Sequence, residues 1–228
     1  GLGIPRALRR GRIGGDPPGA AAAGWLITAM STARAVEAAA RAAYGRLLAR
    51  LARESRDVAA AEDALADALV AALRRWPETG VPASPEAWLL TAARRQLGAA
   101  AARRGTAQAG AITQALLEQE RAGAPDAEPD HRLALMFVCA HPAIAAEVQA
   151  PLMLQLVLGL DAARIAAAFQ VAPATMGQRL VRAKARVRDA GISFAIPPAS
   201  DRPARLGAVR AAIYAAFGTG WDAIDGAE

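Results

Sequence analysis

The sequence predicts an all-α protein: two small helical domains joined by a linker, with the start of a further helical extension at the C-terminal end. Three observations predict it. Hydrophobic residues make up 54% of the 228 residues but aromatics only 4%, so the core must be built from Ala, Leu, Val and Ile. Ala and Leu favour helix, and alternating β-branched runs are absent. Apolar residues recur at helical spacing in one segment after another, and the breaks between segments are rich in Pro, Gly and charge.

The N-terminal stretch "RALRRGRIGG" followed by "AAAAGWLITA" has the outline of a signal peptide. Its apolar part is mostly Ala and Gly, with only Trp25, Leu26 and Ile27 adding strength. We therefore expect the ordered chain to start at Met30 and residues 1–29 to be a disordered or misassigned leader.

The first domain is expected over 30–104. Val36, Ala40, Leu47 and Leu51 mark a helix over Thr32–Arg53. Asp57 is a good N-cap for a second helix running to Arg75, whose inner stripe is Val58, Ala61, Leu65, Leu69, Ala72 and Trp76. "PETGVPASP" breaks the pattern. Ser84 then Pro85 form a cap and a first-turn proline for a third helix, which carries Trp88, Leu89, Leu90 and Leu97 and a run of arginines. A linker is expected over 105–130, with a short helix at Ile112–Glu120. The second domain, 131–196, holds helices in "RLALMFVCAHPAI" and "EVQAPLMLQLVLGL", then Asp161–Phe169 and Ala174–Ala190. The last unit, 197–228, opens with the amphipathic segment Leu206–Phe217.

The basic segment "VAPATMGQRLVRAKARVR" carries the strongest functional signal. At 100° per residue, Met176, Leu180, Ala183 and Val187 form one apolar stripe. Thr175, Gln178, Arg179, Arg182 and Arg186 form another, suited to base edges and phosphates. Lys184 and Arg188 lie on a third flank. On the preceding helix, Ile165, Ala166 and Phe169 face inward, Val171 plugs the turn, and Pro173 starts the second helix abruptly. This spacing is that of a helix-turn-helix, which a solvated basic helix would not need. The net charge of +6 agrees with a polyanionic partner.

"GLDAARIAAAFQVAPATMGQRLVRAKARVRDAGI" resembles region four of extracytoplasmic-function sigma factors of bacterial RNA polymerase. "RDVAAAEDALADALVAALRRWP" and "GVPASPEAWLLTAARRQL" resemble their region two. "DHRLALMFVCAHPAI", "ATMGQRLVRAKARVRDAGISF" and "RLGAVRAAIYAAFGTGW" are similar to the subgroup with a C-terminal helical-repeat extension, here truncated to its first helix. The resemblance implies a polymerase-binding surface at Glu62, Asp63, Leu65 and Asp67. It implies minus-ten contacts from Trp88, Arg94, Arg95, Arg103 and Arg104. It implies minus-thirty-five contacts from Thr175, Gln178, Arg179, Arg182, Lys184 and Arg186. Two departures bear on this. Ala66 stands where the family has Gln. After "LLTAAR" the family's Asn and "I-D-R-L-R-R" run are replaced by Arg95, Gln96, Leu97, Gly98 and alanines, which thins the groups that hold single-stranded DNA.

Other chemistry finds little support. Cys139, His141 and His131 fall short of a four-ligand zinc site, so no metal is expected. The acids Glu62, Asp63 and Asp67 read as a solvated or partner-binding face. No hydrolase, P-loop or metalloprotease motif occurs, so neither enzyme activity nor a cofactor is expected. The single cysteine excludes an intramolecular disulfide and fits a reducing compartment. No apolar run has transmembrane length, so we expect a cytoplasmic protein with no membrane partner. The expected partners are core RNA polymerase, promoter DNA and a regulatory protein. The alternatives are a stand-alone helix-turn-helix regulator, a sigma-like protein deficient in melting, and a helical interaction module.

Overall fold

The structure is a computed structural model. It describes residues 18–105, 110, 114 and 130–224, with side chains placed over 30–105, 110, 114 and 130–217. Among the described residues the regular structure is all helical. Eight helices have described bounds: α1 Pro18–Ser55, α2 Val58–Thr79, α3 Pro85–Arg104, α4 Arg132–Cys139, α5 Ala146–Leu158, α6 Ala162–Ala168, α7 Pro173–Asp189 and α8 Arg202–Ile224. None of them is long and apolar enough to cross a membrane.

Caps and breakers set most boundaries. Asp57 accepts a hydrogen bond from the Ala60 N–H at 3.1 Å, worth about 1 kcal/mol to α2. Ser84 accepts from Ala87, with Pro85 in the first turn of α3. Asp161 accepts from both Ala163 and Arg164 at 2.9 Å and starts α6. Gly159 ends α5 at φ 69°, in the left-handed region. Two boundaries differ from expectation. α1 begins at Pro18, upstream of Met30, because the alanine run joins the helix that follows it. α2 runs on through Pro77 in its last turn and closes where the Gly80 N–H meets the Trp76 carbonyl at 2.9 Å. The expected linker and its short helix lie largely outside the described residues, although Gly110 and Gln114 are helical.

α1, α2 and α3 pack as a bundle around Leu48, Leu51, Leu65, Trp76, Leu89 and Leu97. α4 to α7 pack around Leu135, Leu152, Leu154, Ile165 and Leu180, and α8 lies back across α4 and α5.

The two units expected as separate domains meet along a seam, and buried residues of both form one hydrophobic cluster. The seam is tight at Gly45 of α1. A Cβ there would lie 2.1 Å from the Val157 carbonyl oxygen of α5, so only glycine permits this approach. Next to it the Tyr44 ring covers Gly159, where a Cβ would sit 3.1 Å from the ring. Burial pushes the Tyr44 hydroxyl well above its ordinary pKa, with the Glu62 carboxylate adding to the rise.

Candidate nucleic-acid interface

α7 is held by its apolar stripe. Met176, Leu180, Ala183 and Val187 are all buried, as the spacing predicts. Val171 donates its N–H to Ala166 at 2.9 Å, and Gln170 takes a left-handed φ of 53° in the tight turn. This turn sets α6 against α7 and leaves the opposite side of α7 open. Thr175, Gln178 and Arg182 are exposed there, and Arg179 is half-buried beside them. Val181, 63% exposed, shares the outward side with Gln178; it is an apolar group that a search for charge overlooks.

Two members of the expected minus-thirty-five set are engaged elsewhere. Lys184 lies against α2, its Nζ 2.5 Å from Glu62 Oε2, with both side chains largely covered. It is therefore not a free phosphate contact in this arrangement. Its flank of α7 faces the bundle, a neighbour that periodicity within one helix does not reveal. Arg186 donates from Nε to the Ala143 carbonyl at 3.3 Å and ties α7 to the α4–α5 turn.

On α2, Asp63 and Asp67 point outward and Glu62 is half-buried under Lys184. Leu65 is 1% exposed and belongs to the core, which corrects its assignment to a partner surface. Position 65 lies on the same inner stripe as Ala61, Ala68 and Ala72, a signal already present in the sequence. Val70 and Leu73 are exposed beside the acids, apolar groups that carry no charge signal in the sequence. Asp63 and Asp67 share a groove of about 370 Å³ with Gln96, Arg103 and Arg104 of α3.

On α3, Arg95, Arg103 and Arg104 are exposed, and Arg104 also donates to the Ala100 carbonyl. Trp88 is half-buried and meets Trp76 edge to face, with centroids 5.4 Å apart. Arg94 is the clear correction. Its side chain is 2% exposed and grips Glu54 of α1 through Nε at 3.0 Å and Nη2 at 2.5 Å. Arg50 shares the same carboxylate at 3.2 Å. Burial lowers the Arg50 pKa, the neighbouring Arg94 charge lowers it further, and Glu54 opposes both. Arg94 thus holds α3 to α1 and is out of reach of a phosphate.

Cys139 is buried in the core, where burial raises its thiol pKa far above the ordinary range. His131 Nε2 lies 2.9 Å from Arg53 Nη1. A guanidinium only donates, so this ring nitrogen accepts and the imidazole is neutral. Burial and then the charges of Arg53 and Arg50 lower its pKa. His141 Nδ1 accepts from the Ala143 N–H at 3.1 Å within its own turn. No group of three or more His, Cys, Asp or Glu that could hold a metal occurs among the described residues.

Residues 40–105 match the family model for Sigma-70 region 2, and that span falls on the α1–α3 bundle. The match likens this bundle to Sigma-70 region 2. The chain is also 40% identical over 213 residues to an uncharacterized protein of Rhizobium meliloti (strain 1021). That similarity covers 90% of this chain and 48% of the other, so the chain spans about half the length of the curated relative it matches. No solved structure matches the chain.

Proposed function

We propose that the chain is a bacterial sigma factor of the extracytoplasmic-function kind, which binds core RNA polymerase through α2 and reads promoter DNA with α3 and α7. The observation that carries this reading is the Sigma-70 region 2 match on a bundle whose α2 turns Asp63 and Asp67 outward. Acidic side chains there complement a basic polymerase surface. Arg95, Arg103 and Arg104 suit the phosphates of a minus-ten-type element. Thr175, Gln178, Arg179 and Arg182 suit the major groove of a minus-thirty-five-type element, α7 being the second helix of a helix-turn-helix. The protein works in the cytoplasm with polymerase, promoter DNA and a regulatory protein as partners. α8, which lies across α4 and α5, begins a helical extension.

A melting-deficient factor is the second reading, favoured by Gly98 in the interior of α3 where the family has a polar run. Run-off transcription with purified core polymerase and a promoter pool separates the two. Discrete new start sites establish an active factor. Stable polymerase binding without transcripts leaves the second reading. No polymerase binding sinks both.

A further inference from the structure

We infer that the cavity between α4, α5 and α8 is a binding site for a small neutral amphiphile, an alkyl chain with one uncharged polar end. Such a site stands whether or not the chain is a sigma factor. The cavity holds about 320 Å³. That is at the small end of ligand pockets, roughly 300–1,000 Å³, and at roughly 30 Å³ per atom it takes about ten heavy atoms. Its floor is Met153, Leu154 and Ala212, all buried. Its rim is Leu133, Leu158 and Ile213, which are 47%, 48% and 55% exposed. Three large aliphatic side chains from three helices thus face water around one hollow. A water molecule placed among them would find almost no hydrogen-bond partner, so the space favours an apolar guest. The flexible thioether of Met153 adapts the floor to an alkyl chain. An α-helix, about 10 Å across, is too wide to enter a hollow of this size and could only cap it.

Asp130 and Arg132 close one end of the cavity and set the charge of the guest. Arg132 donates from Nε and Nη2 to one Asp130 oxygen at 2.9 Å and 2.6 Å. Asp130 also accepts from the Arg132 backbone N–H at 3.0 Å. Arg46, close enough for its charge to act on Asp130, is itself bound to Glu86 at 2.8 Å. Among these four groups every charge is matched, so no surplus is left to recruit a carboxylate, a phosphate or an ammonium head. An anionic head would have to displace Asp130 from Arg132, and a cationic head would have to displace Arg132 from Asp130. A hydroxyl or carbonyl displaces neither. It bonds to the edge of the ion pair that the two side chains, each 45% exposed, leave open.

The test titrates the full chain, carbon-13-labelled in its methionine methyl groups, with 1-octanol, octanoate and octyltrimethylammonium. Met136 and Met153 line the cavity, while Met176 is buried beneath α7 and Met30 is exposed on α1. The four methyl signals therefore separate this site from the rest of the molecule. Octanol is expected to shift Met136 and Met153 saturably, with a Kd below about 1 mM, and to leave Met30 and Met176 in place. The two charged probes are expected to bind about threefold or more weakly, because their heads meet a balanced ion pair. Ala216→Leu fills the cavity from α8 and is expected to weaken octanol about tenfold or more, with the melting temperature unchanged or higher. Ile213→Asn trims the exposed rim and is expected to weaken octanol about threefold, which keeps the question decidable if Ala216→Leu misfolds. Equal or tighter binding of either charged probe overturns the neutral head. Shifts spread over all four methyls, no shifts at all, or unchanged octanol affinity in both variants overturn the site. A doubled mass in light scattering that Ile213→Asn returns to one chain assigns the hollow to a second copy of the protein and overturns it as well.

Discussion

Arg94 and Glu54 are joined by two hydrogen bonds that stitch α3 to α1 beneath the solvent-facing side of the bundle. An arginine in the middle of a helix with several exposed arginines is thus structural. Removing one partner of a buried pair costs about 3–5 kcal/mol. Glu54 is one-fifth exposed and keeps Arg50, so Arg94→Met is expected to cost less, about 2–3 kcal/mol. Thermal melting should fall by about 5–10 °C, and an unchanged melting temperature would count against the buried pair.

The outward face of α7 predicts a different pattern. Arg182→Ala should weaken binding to the preferred duplex by about 1–3 kcal/mol and flatten the salt dependence, with melting unchanged. Fluorescence anisotropy over a salt series measures both. Equal affinity of variant and parent for that duplex would remove α7 from the groove.

Leu65 and its acidic neighbours should separate stability from binding. Leu65→Ala is expected to cost about 2–5 kcal/mol, as for other buried leucines. Asp63→Arg with Asp67→Arg should leave melting within a few degrees and abolish pull-down of core polymerase. Intact pull-down would move the polymerase contact off α2.

His131 predicts a loss of stability on mild acidification. Its folded pKa lies below the unfolded value of about 6.5, so the unfolded chain binds more protons as pH falls. Its contribution is complete above that value and is lost as pH drops through it. Arg53 and Arg50 oppose protonation, while Asp130 and Glu54 favour it more weakly. Burial and Arg205 lower His141 as well, so it adds in the same sense. Melting should drop between pH 7.5 and 5.5. His131→Gln should flatten that slope in part, and His131→Gln with His141→Gln further. A slope untouched in the double variant would assign it to other groups.

Much of this architecture is legible in the sequence because its determinants are local. Asp57, Ser84 and Asp161 cap the helices they precede, and the stripe Met176, Leu180, Ala183 and Val187 goes inward as its spacing requires. What escaped depends on partners distant in the chain. Arg94 shares a stripe with Leu90, Leu97 and Ala101, which hints at burial, but its partner Glu54 lies 40 residues away. Lys184 and Glu62 are 122 residues apart, and no periodicity within either helix links them. Gly45 reads as a weak spot in a helix until the Val157 carbonyl is placed against it.

That Lys184 is the sole lysine has a practical side. Apart from the terminal amine, the chain offers amine-directed reagents a single target, and that target is shielded by Glu62. Its rate of acylation is a label-free clock for the seam, readable by mass spectrometry, where the fraction of molecules modified at Lys184 itself, told apart from the terminal amine by peptide mapping, reports exposure of that amine.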